Sequence, residues 1–456
     1  MKHVEVRRGS YVDSVSLMQV SRRVADLDGV TAALVAMATD LNLELADGMG
    51  FDVPPGTSGN EMLVALDVSE DVLEPARAEV DAALSAASRP ASSSGFGAAP
   101  EPLTVRAAVR DLDPATSVAL ISTPGQYAFG DALDAVEAGL MTMVFSDNVS
   151  LAQEVALKRR AAETGALVMG PDCGTAVVGG VGLGFANVVR PGPVGIVAAS
   201  GTGAQHLLAL LDGAGVGVAH CLGVGGRDLK AAVGGLSTVA ALDLLDADAA
   251  TELIVVVSKP PDDDVAAAVR SHAEALSTPV LFGLLGPGQP DLTETAASVV
   301  AAVGGSWTSP EHWSGRVSTS RDGGSLVGLF VGGTMRDEAT IIAEKALGAG
   351  LEMVDFGDDD LTRGRPHPMI DGSLRIDRIS ACIDDASVGV LLLDVVLGLG
   401  SDPDPAASLA EPLRRATQAR LPVVVSVVGT RDDPQDLRRQ CAALTDAGAA
   451  VHLSNA

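Results

Sequence analysis

The stretch from Pro193 to Leu211, PVGIVAASGTGAQHLLALL, constrains the fold more than any other part of this sequence. An apolar, β-branched run halts at Ser200-Gly201-Thr202-Gly203 and resumes as an apolar pattern at helical spacing, which predicts a strand, a tight turn and a helix start. Ser200 or Thr202 can accept from the first helical amides as an N-cap, and Gly201 and Gly203 let a ligand or another backbone approach closely. The free N–H groups and the positive end of the helix macrodipole make such a terminus a place for anions, phosphate above all. A single turn of this kind is more often a capped helix than a binding site. What gives it weight here is repetition.

Similar polar, Gly-rich turns end most of the strand-like runs between residues 103 and 304. They are Ser122 to Gly125, Ser146 to Asn148, Gly170 to Gly174, Gly225-Gly226-Arg227-Asp228 and Ser258 to Pro261. Runs such as VALIS, LMTMVFS and LIVVVS alternate with helical patterns, which predicts an α/β protein with doubly wound parallel sheets and ligands at the strands' carboxyl ends. A small α/β domain precedes this region over residues 1–87, followed by a Ser/Pro/Ala/Gly-rich linker over 88–102. A second linker, 305–324, carries Trp307 and Trp313 and is expected to pack across a domain junction. The last domain, 325–456, repeats the strand-turn-helix pattern and ends on a strand, AAVHL, beyond which no further sheet edge is expected.

Hydrophobic residues are 47% of the chain but aromatic ones only 3%, a balance suited to helices on a parallel sheet. The net charge of −28 disfavours nucleic acid and anionic membrane surfaces as partners. No apolar run is long enough to span a bilayer. The four cysteines, Cys173, Cys221, Cys382 and Cys441, form no CxxC pair, so neither disulfides nor zinc are expected, and a cytoplasmic location fits. Acidic runs at 262–264, 358–360 and 402–404 read as solvated helix starts, so no metal site is expected.

Together with MGPDCGT from Met169 and CLGVGGRDL from Cys221, the central stretch resembles the alpha subunit of succinyl-CoA synthetase. The last domain resembles the carboxyl-terminal domain of that enzyme's beta subunit. The order YVDSVSLM, FSDNV, GPDCGT, SGTG, GGRDL, VSKPP, GRPHPMID, LLLDVVLG resembles the FdrA family along nearly the whole chain. That resemblance implies Rossmann-like and flavodoxin-like synthetase-type domains, with phosphate held between two facing helix amino termini. One would be Ser200, Gly201, Thr202 and Gly203. The other is expected just after Asp394, with amides at Gly398, Gly400 and Ser401.

The resemblance further implies a hetero-oligomeric complex with partner subunits and carbamoyl phosphate, or another acyl phosphate, as ligand. The activity expected is carbamoyl transfer involving oxamate in allantoin degradation. An acyl-CoA ligase subunit binding coenzyme A and a non-catalytic scaffold are the alternatives. The stretch LFGLLGPGQPDLTETAASVVAAVGG lacks the histidine on which the synthetases carry phosphate, and RRGSYVDSVS does not reproduce their Gly-rich coenzyme A loop.

Arg227 is the expected anion clamp, since a guanidinium binds phosphate or carboxylate bidentately, with Asp228 holding it in place. His367, between two prolines, is the expected general acid or base, tuned by Arg365 and Asp371. A surface histidine in a rigid loop is the plainer reading of the same residue. Asp172, Cys173, Gly225 and Gly226 are expected to support the site from strand-end turns. For Cys173 a small buried residue competes with an activated thiolate, and for Lys259 an exposed strand-end lysine competes with an anion contact.

Overall fold

The structure is a computed structural model and describes all residues except 9–11, 13, 88–101, 316–323, 349–350 and 363–365. The first predicted linker thus lies almost wholly outside the described residues, as does part of the second.

The amino-terminal domain runs β1 (Lys2–Arg7), α1 (Ser14–Ala25), β2 (Val30–Met37), α2 (Asp40–Gly48), β3 (Met62–Val68) and α3 (Leu73–Ala87). Its sheet is antiparallel in the order β1-β3-β2. β3 is buried on both faces, because α1 and α3 cover one side and α2 with the Phe51 loop the other.

Residues 103–304 form two sheets rather than one. After a single turn, α4 (Val105–Ala108), three parallel strands β4 (Val118–Ile121), β5 (Met141–Val144) and β6 (Val168–Met169) alternate with α5 (Gly125–Glu137) and α6 (Leu151–Thr164). The second sheet has the order β12-β11-β9-β10-β7-β8. It contains β7 (Thr175–Val178), β8 (Val181–Gly184), β9 (Val194–Ala199), β10 (Val218–Gly223), β11 (Leu253–Ser258) and β12 (Val280–Leu284), with helices α7 (Gly201–Gly213), α8 (Leu236–Ala247), α9 (Asp263–Ala273) and α10 (Leu292–Ala302). β9 to β12 are parallel, while β7 and β8 make an antiparallel hairpin whose turn, Gly179-Gly180, needs positive φ at both positions (57° and 80°). β9 is wholly buried at the centre, as its unbroken apolar run requires.

The last domain adds a six-stranded sheet in the order β13-β18-β17-β16-β14-β15. Its strands are β13 (His312–Trp313), β14 (Ser325–Phe330), β15 (Glu352–Asp355), β16 (Val388–Val396), β17 (Val423–Val428) and β18 (Ala450–His452); its helices are α11 (Gly333–Leu347), α12 (Asp359–Thr362), α13 (Ser373–Asp384), α14 (Pro405–Gln418) and α15 (Leu437–Asp446). β18 is not the sheet edge that the sequence suggests. Residues 312–313 pair with it antiparallel, His312 opposite His452. Trp313 then packs on the last domain and Trp307 on the β9 sheet, so the second linker straddles the two.

Candidate functional site

Ser200 adopts extended backbone (φ −170°, ψ 122°) and its Oγ accepts from the Gly203 amide at 2.9 Å, capping α7. Nearly every side chain of α7 is buried, because the helix is wedged between the β9 sheet and the last domain. Directly opposite stands the start of α11. Its N-cap, Gly332, has no side chain, and Thr334 in its first turn hydrogen-bonds through its hydroxyl to Ser200 Oγ. The approach is so close that a Cβ at Gly332 would lie 2.5 Å from Thr202 Oγ1. Two helix amino termini therefore face each other, and their positive ends converge.

This pairing corrects the expected one. Gly398, Gly400 and Ser401 do not form the opposing terminus. The Gly398 amide is spent on Gln435 Oε1 at 3.1 Å and the Leu399 amide on the Ala186 carbonyl at 2.9 Å. Gly400 packs against the Phe185 ring, and Ser401 is buried beside α14. Asp394 acts on the true partner instead. Its Oδ1 accepts from the Val331 amide at 2.7 Å and from the Arg375 guanidinium at 3.0 Å, which pins the turn that launches α11. Burial raises the Asp394 carboxyl to about 6 despite the nearby Arg375.

Between the two termini lie Lys259 and Asp355. A Cβ on Gly333 would collide with Lys259 Nζ and Asp355 Oδ2 alike, so both groups sit at the mouth of α11. Among the described residues no hydrogen bond or ion pair engages the Lys259 ammonium. Asp355 Oδ1 accepts from the Gly357 amide at 2.9 Å, and burial raises its carboxyl above the usual range, against the pull of that amide, Lys259 and Arg336.

His367 faces the same space. Its Nδ1 accepts from the Met369 amide at 3.2 Å, which leaves the proton of the neutral ring on Nε2, and its ring lies 5.8 Å from that of Phe185. Burial lowers its imidazolium to about 4, so the ring is neutral at neutral pH and offers an N–H donor from Nε2. Asp371 lines the space too, with Oδ1 bound to the Ser373 amide at 2.9 Å; Arg365 lies outside the described residues.

Lys259, Asp355, His367 and Asp371 border one cavity of about 740 Å³, into which Gly201, Thr202, Gly332 and Asp172 also open. Arg227 does not reach it. Its Nε pairs with Glu154 at 2.8 Å and its Nη2 donates to the Val149 carbonyl at 2.9 Å, so it staples the Gly225-Gly226 turn to α6. Asp228 does not hold Arg227 either. It accepts from Lys158 at 2.8 Å and from the Thr238 amide and hydroxyl, fully buried. Gly225 (φ 89°) lies against the Pro171 carbonyl, whereas Gly226 faces open space. Cys173 is buried and its thiol is pushed up to about 12, which takes away the activated-thiolate reading.

Sequence reasoning missed Gly332, Gly333, Thr334 and Asp355. The signal was present: LFVGGT followed by a helix repeats the VAASGT grammar of the first terminus.

Residues 1–100 match the family described as AllF, heavy metal-associated domain, and residues 329–456 match CoA-ligase. The chain is 34% identical over 500 residues to the uncharacterized protein YahF of Escherichia coli (strain K12), covering 99% of this chain and 96% of that one. It is 29% identical over 210 residues to a succinate–CoA ligase [ADP-forming] subunit alpha 2 of Archaeoglobus fulgidus, covering 44% of this chain and 70% of that one. Among solved structures it is similar to the dinucleotide-forming acetyl-coenzyme A synthetase 1 of Ca. Korarchaeum cryptofilum in complex with phosphate and ADP. That match has 16% identity and a TM-score of 0.33, covering 80% of this chain and 84% of that one.

The metal in the first description finds no ligands here. Residues 1–100 contain no cysteine and a single histidine, His3, and among the described residues no cluster suited to a metal ion exists. The cavity is lined by the carboxylates Asp147, Asp172, Asp355 and Asp371 and by the Lys259 ammonium. Among the described residues no helix is long and apolar enough to cross a membrane.

Proposed function

Because the chain belongs to the FdrA-like family of succinyl-CoA synthetase relatives, we propose that it is the acyl-phosphate-handling subunit of a transferase complex, with carbamoyl phosphate as the first ligand to test. The observation that carries this reading is the convergence of the α7 and α11 amino termini beside the Lys259 ammonium. An anion held there meets backbone N–H groups, two dipoles and a cation.

In the proposed step an acceptor nitrogen attacks the carbonyl carbon and the new C–N bond forms. The C–O bond to phosphate then breaks, its electron pair leaves with the phosphate, and the helix termini and Lys259 stabilise the charge that gathers there. In this step the His367 Nε2–H polarises the carbonyl. Asp355, whose carboxyl is raised by burial, takes the nitrogen's proton and passes it to the departing phosphate.

In this reading His367 does not carry phosphate: its Nδ1 lone pair accepts from the Met369 amide and its Nε2 keeps the proton. A ready-made acyl phosphate needs no such carrier. The second reading, an NDP-forming acyl-CoA ligase subunit, is favoured by the CoA-ligase match over residues 329–456, and it would need partner chains for both nucleotide and coenzyme A.

Calorimetric titration of the full chain separates the two. The expected result is binding of carbamoyl phosphate and, more weakly, of inorganic phosphate, with no binding of coenzyme A. Saturable binding of coenzyme A without carbamoyl phosphate would move the assignment to the ligase.

A further inference from the structure

One half of a buried side-chain amide on the cavity wall is left without a partner. Gln205 lies on α7, lines the cavity and is only 1% exposed. Its Nε2 donates to the Phe185 carbonyl and, at 3.3 Å, to the Leu397 carbonyl. Both partners are carbonyl oxygens, so only the NH2 end of the amide can face them, and Oε1 is fixed on the other side. Among the described residues no donor engages Oε1.

A structural role accounts for the nitrogen alone. Phe185 follows β8 and Leu397 follows β16, so the Nε2 contacts tie α7 to loops of two different sheets. They make no use of the oxygen. Folded chains seldom leave a buried acceptor unpaired, and one that opens on a cavity points to a ligand able to donate.

The helix sets where that donor must lie. Gln205 comes three residues after Thr202 and four after Gly201, which puts all three on one face of α7, with Gln205 about 5.4 Å, one turn, beyond the terminus. A phosphate held at the terminus carries its acyl carbon one oxygen away. His367 neighbours Phe185 as well, with ring centroids 5.8 Å apart and its Nδ1 occupied by the Met369 amide. Phe185 thus brings together an N–H donor suited to a carbonyl oxygen and an acceptor suited to an N–H.

We propose that Gln205 is a specificity-determining residue whose Oε1 accepts from an N–H of the ligand's acyl group, so that the cavity selects an acyl phosphate with NH2 on its carbonyl carbon over one with a methyl group there. The proposal rests on the acyl-phosphate reading of the cradle. A methyl group fills the same space as NH2, donates nothing and leaves Oε1 both desolvated and unpaired.

Two stable phosphonates differ only at that position: phosphonoacetamide has NH2 on its carbonyl carbon and 2-oxopropylphosphonate has CH3. The full chain is titrated calorimetrically with each and with inorganic phosphate. Phosphonoacetamide should bind about five- to a hundredfold more tightly than the ketone. Equal affinities, or tighter binding of the ketone, overturn the role of Gln205, while binding of phosphate keeps the cradle standing. Failure of phosphate and of both phosphonates brings down the cradle and the selectivity with it. Gln205→Met retains an unbranched side chain of similar length and removes the acceptor. The ratio of the two affinities should fall to within about twofold in this variant, and because the ratio is taken within one protein, general damage to the cavity cancels. A preference kept in full by Gln205→Met would assign the N–H to another acceptor and overturn the proposal. Should that variant fail to fold, the comparison of the two phosphonates on the unaltered chain still decides.

Discussion

Replacing Gly332 by alanine tests whether two helix termini hold one anion. The backbone there (φ −128°, ψ 120°) is open to any residue, so the substitution acts through space and not through conformational strain. Its Cβ would sit 2.5 Å from Thr202 Oγ1 and Cγ2 and 2.7 Å from Thr202 Cβ. Comfortable carbon contacts lie at about 3.5–4.0 Å, so α7 and α11 must part by about an ångström. Overpacking of this kind costs about 1–3 kcal/mol of stability. A partly buried helix terminus contributes up to about 2 kcal/mol to an anion, and loss of one terminus should weaken phosphate or phosphonoacetamide binding by roughly five- to thirtyfold. Calorimetric titration beside a denaturant melt reads both quantities. Gly226→Ala is the control, since its Cβ would face open space and should change neither. Lowered stability with unaltered anion affinity in Gly332→Ala would refute the shared cradle.

Lys259→Met should weaken phosphate binding about ten- to a hundredfold, the scale of a lost charge-assisted hydrogen bond, and flatten its salt dependence. The Lys259 charge also pulls on the neighbouring Asp355 carboxyl, so a thermal melt accompanies the titration; a variant that binds phosphate as before sinks the role of Lys259. Burial raises Glu338 to about 7 from 4.5, so between those values the folded chain keeps a proton that the unfolded chain has lost. The stability this group contributes is present in full at low pH and is lost as pH rises through 7. Glu338→Gln should therefore make unfolding free energy rise more steeply with pH between about 5 and 6.5, by about 1.4 kcal/mol per pH unit; an unchanged slope counts against the buried carboxyl. Arg22→Ala should speed amide exchange at Met369, Ile370 and Asp371, since it frees the Ile370 carbonyl and Asp402 from the amino-terminal domain. Identical exchange would mean that the domain does not brace the His367 loop.

Much of the fold was legible because local pattern and burial agree. VGIVAA is buried at every position and LIVVVS likewise, so an unbroken apolar run is enough to announce a central parallel strand. Ser200 was legible as a cap because its hydroxyl has only to reach three residues along the chain. The β7–β8 hairpin escaped, although Gly179-Gly180 between Val178 and Val181 is a turn signal, because its strands are only four residues each. Arg227 misled for a different reason. A guanidinium in a Gly-rich turn is equally able to clamp a ligand or a neighbouring carboxylate, and Glu154, 73 positions earlier in the chain, took it.

By itself the sequence determined the class of fold, the strand-turn-helix units and the capped start of α7. All of these depend on residues within a few positions of one another, through periodicity, capping and glycine conformation. Only tertiary structure decided which termini meet. The pairing of α7 with α11 rests on Gly332 lying against Thr202 and on Asp394 reaching the Val331 amide, contacts between residues 130 and 63 positions apart. The same holds for the neutral state of His367 and the raised carboxyl of Asp355, which burial creates and no local pattern records.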